Sequence, residues 1–387
     1  MRKYLFSALA VMLILIVLPC GAAADSVHIE RRLSDTLSID ADFILPDFQT
    51  IAPARLIMTS QSDDKTMESM AEYLFDEGKE IKSTTFHNGE TVMRYTGEVF
   101  KDEWLDVSYG GNIHYRNQPL YLRQDNIVSY IRNGLSFPDT FYEGHEYTVE
   151  YLETVNHEGF SREEAYHMAS EALKTILGPD SGLDIDLVYQ YGMTHKDAEK
   201  LTACFNQDDF MIYVYSAKTD EEGNEIPAPS FNPLLIDDWD EGDDLYFFEF
   251  SLSLNGVPLL YDTNVYALSE YDLFMNPICQ VYVSREGGIT FLGMKTYRLD
   301  SSDEAQAIMS ADQAIDAMNA YFDSIIQVFG LVVREAEVEY LPLKSSSDKN
   351  AVELIPVWRM STDAIYNDER RPYRTYCFDA ITGEWVR

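Results

Sequence analysis

The chain has 387 residues, 46% of them apolar, with 66 acidic against 29 basic side chains for a formal net charge of −37. That length is enough for two or three domains with their own cores, and the overall field disfavours nucleic acid and anionic membrane surfaces as partners. Cys20 lies in an N-terminal leader, so Cys204, Cys279 and Cys377 close one disulfide at most, which excludes a disulfide scaffold and a C-x-x-C metal site.

The leader occupies residues 1–24. Arg2 and Lys3 precede an apolar run from Leu5 to Leu18, and Ala22-Ala23-Ala24 stands before Asp25. This is the layout of a secretory signal peptide with an A-x-A cleavage site. Two alternatives stay open. Val17-Leu18-Pro19-Cys20 is similar to a bacterial lipobox, which would place a lipid on Cys20, and the uncharged stretch from Tyr4 to Ala24 is long enough, at about 20 residues, to stay as a membrane anchor. Each puts the body of the protein outside the cytoplasm, secreted or attached to the outer face of the cell membrane.

Leu37, Ile39, Ala41 and Phe43 alternate with Ser38, Asp40 and Asp42, which predicts a half-buried strand that Pro46 ends. A second strand is expected over Ala54 to Thr59. Met67, Met70, Ala71, Leu74 and Phe75 keep helical spacing up to Gly78, and further strands are expected over Thr91 to Thr96 and on both sides of Gly110-Gly111. The expectation for residues 25–152 is a β-rich domain, a small sheet with one helix on it.

Near Asn156 the pattern changes. Ser161 and Glu164 form a capping box, and Ala165, Met168, Ala169, Ala172, Leu173, Ile176 and Leu177 make one apolar stripe closed by Gly178-Pro179. Ser310 and Gln313 repeat the box, and Ala314, Ala317, Met318, Tyr321, Phe322, Ile325 and Ile326 repeat the stripe. After the first helix, strands are expected at Leu183 to Tyr191, Phe210 to Tyr215 and Leu245 to Leu254, the last turning back at Asn255-Gly256. After the second they are expected at Val332 to Leu341 and Val352 to Met360, where Pro356 points to an edge or a bulge. The hairpin VYVSREGGIT (Val281 to Thr290) matches the terminal YCFDAITGEWV (Tyr376 to Val386), with Gly288 on Gly383. These matches divide the chain into one unit over 153–300, with an acidic insertion at 218–244, and another over 301–387.

The second unit resembles a PepSY-type domain, through Phe378-Asp379-Ala380-Ile381-Thr382-Gly383-Glu384. At the corresponding turn the first unit has Ser284-Arg285-Glu286-Gly287-Gly288. The resemblance implies an α+β fold, with small antiparallel sheets each packed by one amphipathic helix, as tandem PepSY-like units after the β-rich N-terminal domain. Tandem, signal-bearing arrangements of this kind are also similar to extracytoplasmic regulators of Gram-positive envelope sensor kinases, which implies protein binding, inhibition or sensing and no shared catalytic residues.

The residues themselves give no catalytic, cofactor or metal set. H-E-x-x-H, G-x-S-x-G, G-x-G-x-x-G and a Walker loop are absent from the sequence. Ser346 to Lys349 matches S-x-x-K without its partner motifs, His157 and His167 read as packing or surface residues, and Cys204 with His195 reads as a buried thiol and a loop histidine rather than a nucleophile and base. Asp237, Asp238, Asp240, Asp243 and Asp244 offer oxygens of the kind calcium takes, but Trp239 fills the third ligand place and Gly242 the sixth position, which departs from an EF-hand. Trp239 among charges suits a protein contact. The expected function is non-catalytic binding of a protein or peptide partner in the cell envelope, without a cofactor. The alternatives are a carboxylate-based extracellular hydrolase and a calcium-dependent adhesin or structural module.

Overall fold

The computed structural model describes residues 26–58, 64–75, 78–85, 92–99, 101–107, 112–125, 128, 149–197, 199, 218–219, 225–226, 238–260, 279–325, 329–348, 350–366 and 369–386. The leader expected at residues 1–24 with Cys20, the strand expected at Phe210 to Tyr215, Cys204, Asp237 and most of the 218–244 insertion lie outside the described residues.

The chain opens with a hairpin of β1 (Ser26–Arg32) and β2 (Leu37–Ile44), followed by short strands β3 (Thr50–Ile51) and β4 (Ala54–Met58). Helix α1 (Asp64–Leu74) then leads into β5 (Lys82–Thr85), β6 (Val92–Tyr95), β7 (Glu103–Val107) and β8 (Asn112–Asn117), each antiparallel to the next. After a short α2 (Val149–Thr154), helix α3 (Arg162–Leu177) leads into β9 (Asp184–Met193). A two-residue ladder of β10 (Lys218–Thr219) and β11 (Glu225–Ile226) intervenes before β12 (Leu245–Leu254), its return β13 (Val257–Pro258), β14 (Cys279–Ser284) and β15 (Gly288–Lys295). β16 (Tyr297–Ser302) and β17 (Gln306–Ala307) precede helix α4 (Ala311–Asp323), which leads into β18 (Gly330–Lys344), β19 (Ala351–Tyr366) and β20 (Glu369–Asp379).

Both long helices begin with the capping box read from the sequence. Ser161 Oγ accepts from Glu164 N–H while Glu164 Oε2 accepts from Ser161 N–H, and Ser310 with Gln313 does the same. Of the expected stripes, Ala165, Ala169, Ala172, Leu173, Ile176 and Leu177 are buried on α3 with Met168 exposed, and Ala314, Met318 and Phe322 are buried on α4, which also buries Ile315 from outside the stripe and ends at Asp323, leaving Ile325 exposed beyond it. Each helix is followed by an antiparallel meander: β9-β12-β14-β15 after α3, and β18-β19-β20 after α4, with Trp385 bridging back to Phe378. The turn glycines Gly288 and Gly383 both hold positive φ, 58° and 77°, and a Cβ on Gly383 would sit 3.1 Å from Met309 Sδ.

The expected fold class, small sheets each packed by one helix, is overturned. The protein is predominantly strand, built on one sheet of nine strands and one of seven. The physical reason is edge pairing. The α1 meander and the α3 meander join through their last strands, β8 against β15, into the nine-stranded sheet ordered β13-β12-β14-β15-β8-β7-β6-β5, with β9 on the other side of β12. Helices α1 and α3 touch over its one face. There are thus three helix-plus-meander units, where the sequence matches pick out two.

In the seven-stranded sheet, ordered β1-β2-β18-β19-β4-β16, the N-terminal hairpin adds to β18 with β2 parallel to it. The strands of residues 25–152 are therefore shared between the two sheets. β19 is central: β18 lines one side, and β4 (at Ala351 to Leu354) and β20 (from Val357) share the other. Pro356, expected at an edge or bulge, sits in the gap between those two partners, where its missing N–H breaks no ladder there.

One continuous core lies under the helices of both sheets, containing Leu37, Phe43, Tyr115, Phe248, Phe250, Trp358 and Phe378. Two links hold the sheets together. β15 runs almost directly into β16 of the other sheet, and Leu260 N–H donates to Tyr340 O at 2.8 Å. Among the described residues no helix is long and apolar enough to cross a membrane.

Phe43 is fully buried with its ring 5.9 Å from that of Trp358, so β2 supplies part of the third unit's core rather than a separate domain's. Phe43→Ala is expected to lower the unfolding free energy by about 3–5 kcal/mol, measured by urea denaturation. A loss within about 0.5 kcal/mol, the range of ordinary surface changes, would contradict this placement.

Candidate functional site

The acidic loop singled out by composition is a clasp. Asp240 caps a 3₁₀ turn over Glu241–Asp243 by accepting from Gly242 N–H at 2.8 Å. Arg123 donates to both oxygens of the buried Asp243 at 2.7 and 2.6 Å and to Asp238 Oδ1 at 3.0 Å. Its guanidinium also lies 5.0 Å from the centre of the Trp239 ring, a cation–π contact. Trp239 folds back against the apolar cluster of Tyr191, Phe247 and Tyr282 on the face of the nine-stranded sheet opposite α1 and α3, where a helical turn segment over residues 118–125, carrying Tyr121 and Arg123, and Leu152 of α2 also pack.

Asp244, the next residue, accepts from His195 N–H at 2.7 Å and lies 2.9 Å from His195 Nδ1 and 3.4 Å from Arg285 Nη2. His157 Nδ1 stands 3.6 Å from the same carboxylate, while its Nε2–H donates to Leu245 O at 3.0 Å. Burial lowers the His157 pKa, so the ring is neutral at pH 7. These carboxylates are engaged by arginines, histidines and backbone N–H groups. Among the described residues no group of three or more His, Cys, Asp or Glu is arranged to hold a metal ion. Sequence reasoning missed Arg123 and Arg285 because their pairing depends on contacts far along the chain.

Other sequence candidates scatter. His167 is exposed on α3, within 4.0 Å of Glu163. Cys279 and Cys377 are separate buried thiols, and burial pushes Cys279 up to about 12. Asp238 and Asp240 stay at the clasp.

A second charged cluster lies on the helix-free face of the seven-stranded sheet, where strand alternation places Glu335, Glu337 and Glu339 of β18 together. Arg359 of β19 donates to Glu339 at 2.8 Å, to Glu335 at 3.2 Å, to Ser361 at 2.7 Å, and to Glu337. Three carboxylates face one guanidinium. Burial and the Glu337 carboxylate hold Glu339 well above the usual carboxylate range.

The surface best shaped to receive another molecule is a groove of about 750 Å³ where the nine-stranded sheet ends. Among the described residues β9 pairs only with β12, which makes it an edge strand of the nine-stranded sheet as described. Its last three residues are buried against residues 152–155, with Gly192 packed so closely that a Cβ would meet Val155 O at 2.7 Å. Asp184 to Gln190 stay open, with Leu187 38% and Tyr189 40% exposed. The groove runs from this edge to the N-terminal turns of α3 and is lined by Glu153, Asn156, Glu163, Tyr166, Leu187 and Gln190. Arg162 fixes its wall by donating to Leu152 O and Val155 O at 3.3 and 2.5 Å.

No protein-family model and no curated protein sequence matches the chain. Among solved structures, it is similar to an uncharacterized protein from Eubacterium rectale ATCC 33656, with 16% identity, 93% of each chain covered and a TM-score of 0.54. At that identity the likeness shows a shared fold alone.

Removing one side of a buried, bidentate ion pair leaves the other charge uncompensated. Asp243→Asn is expected to cost about 3 kcal/mol of stability by urea denaturation, and an unchanged midpoint would show that the clasp is not structural. For Glu339 the raised pKa means its contribution is complete below the ordinary value of 4.5 and is lost as pH rises toward the folded value. Glu339→Gln is accordingly expected to flatten the decline of stability as pH rises above about 4.5, and a wild-type slope in that variant would overturn the raised titration of Glu339.

Proposed function

We propose that this chain is a non-catalytic extracytoplasmic protein of the cell envelope that binds another protein or peptide at the open β9 edge. The observation that carries the reading is the juxtaposition of the outer edge of β9, Asp184 to Gln190, which no described strand pairs, with a groove beside α3 into which Tyr166 and Leu187 bring apolar surface. A sheet edge supplies main-chain hydrogen bonds to an incoming strand, and flanking pockets sort its side chains. Natural sheets otherwise cover or blunt such an edge. The acidic clusters support binding over hydrolysis, since both are held by arginine pairs rather than aimed at a cleft. The export-type leader at residues 1–24 and the PepSY-like resemblance of Phe378 to Glu384 support an envelope address and a regulatory role, as in sensor-kinase regulators.

A photo-crosslinking amino acid placed at Leu187 is expected to capture a discrete envelope partner in cells, whereas one at Ile325, 39% exposed just past the end of α4, captures none. Equal yields at both positions, or turnover of an envelope polymer by the purified protein, would refute the reading.

A further inference from the structure

Strand pairing sets five residues in one rung across the nine-stranded sheet: Asp106 beside His114, His114 beside Gly293, Gly293 beside Gln280, and Gln280 beside Glu249. Directly opposed residues project from the same face. Their chain neighbours Ile113, Leu292, Val281 and Phe248 fill the core under α1 and α3, so the rung lies on the opposite face. Its middle place has no side chain. A pit of about 100 Å³ remains there, with Asn112, His114, Gln280, Phe291, Gly293 and Lys295 in its lining. A Cβ on Gly293 would sit 2.9 Å from Phe291 Cζ and intrude on the space.

A buried carboxylate stands behind each polar wall of the pit. Gln280 Nε2 donates to Glu249 Oε2 at 3.1 Å, which leaves the amide oxygen Oε1 as an acceptor. Asp106 Oδ1 lies 3.6 Å from His114 Nδ1 and favours the tautomer with its proton there, so that Nε2 accepts. The Cδ2 edge of that ring, next to Nε2, is the one turned to the pit, 3.6 Å from the place of a Gly293 Cβ. Along β15 on the same face, Lys295 pairs with Asn112, and both side chains can donate. Burial and then the charge of Lys344 lower the Lys295 pKa, the setting in which a nearby anion offsets most. The pit therefore has a positive end at Lys295 and a negative end at the rung flanked by Asp106 and Glu249.

We infer that this pit binds a free α-amino acid of glycine size, its carboxylate on Lys295 and Asn112 and its ammonium on His114 and Gln280. Size and charge each narrow the class. On the scale by which an engineered cavity of about 150 Å³ takes benzene, about four or five non-hydrogen atoms fit, the size of glycine. A carboxylate alone leaves the acidic rung without a cation, and an amine alone meets Lys295 as a like charge. The pit is separate from the groove beside α3 and does not rest on the function proposed for that groove.

The test is calorimetric titration of the full chain with glycine, expected to saturate with a dissociation constant of about 1 mM, weak because so few atoms make contact. Acetate and methylammonium, the two halves of the probe, are each expected to bind about tenfold more weakly or less. Leucine, too large for the pit, is expected not to bind. Lys295→Met keeps the stem, removes the charge and is expected to weaken glycine about tenfold. Gly293→Ala fills the pit and is expected to abolish binding; where that variant does not fold, Lys295→Met and the ligand series still decide. Glycine should also slow acylation of Lys295 by an N-hydroxysuccinimide ester, read by mass spectrometry, with half-protection at the same concentration. No saturable glycine binding, acetate or leucine as tight as glycine, unprotected Lys295, or wild-type affinity in Lys295→Met would overturn the inference.

Discussion

Unpaired backbone at the edges of short meanders is the constraint on which this structure rests. A helix laid on three or four antiparallel strands buries one apolar face, but it leaves two rows of N–H and C=O groups without partners. Each edge needs a neighbour or exposure to water. The first and second units solve this for their last strands by pairing β8 with β15. The third closes one edge with β2 and the other with β4 and the C-terminal return at Trp385. Three small sheets thereby become two large ones, and the fold class follows from edge pairing rather than from the units.

Those joints also explain why a single core runs through the molecule. A meander bearing one amphipathic helix has little apolar area to bury, and small domains are marginal for that reason. With α1 and α3 on one sheet, and β2 carrying Leu37, Ile39, Ala41 and Phe43 beneath α4, neighbouring units complete one another's interiors. Helix ends are tied into the same scheme. Trp358 Nε1 donates to Met309 O at 3.0 Å just ahead of the α4 cap, and Met309 N–H donates to Ala380 O at 2.8 Å. The cap, the terminal hairpin and the central strand thus hold one another in register.

Local signals in the sequence carried well into the structure, and long-range ones did not. The capping boxes, the two stripes, the alternation of residues 37–43 and the turns at Asn255-Gly256, Gly288 and Gly383 are fixed by propensities within a few residues. The first unit was harder to see as a copy. Its strands are only four to six residues long, too short to show clear alternation. Parallel addition of β2 to β18 joins residues almost 300 positions apart, and no pattern within either strand specifies it. The acidic loop misled for a related reason. A run of aspartates reads as solvated or metal-seeking until Arg123 and Arg285 arrive from remote segments. The β9 groove was equally hidden, because an open edge is defined by what the rest of the chain leaves unpaired.

An acidic protein with an open strand edge faces a particular hazard and solves it by charge. Exposed edges invite pairing with copies of themselves, and natural sheets commonly place charged side chains there to prevent it. On β9 the deterrents are Asp184 and Asp186, beside Glu153 and Glu163 of the groove lining. Pairing of two β9 strands would crowd these acids into one short ladder, adding local repulsion to that between two chains of net charge −37. The same residues would leave a basic strand unopposed. One set of side chains can therefore keep the protein from aggregating at its edge and select which strands the edge admits, because both depend on the sign of the approaching charge.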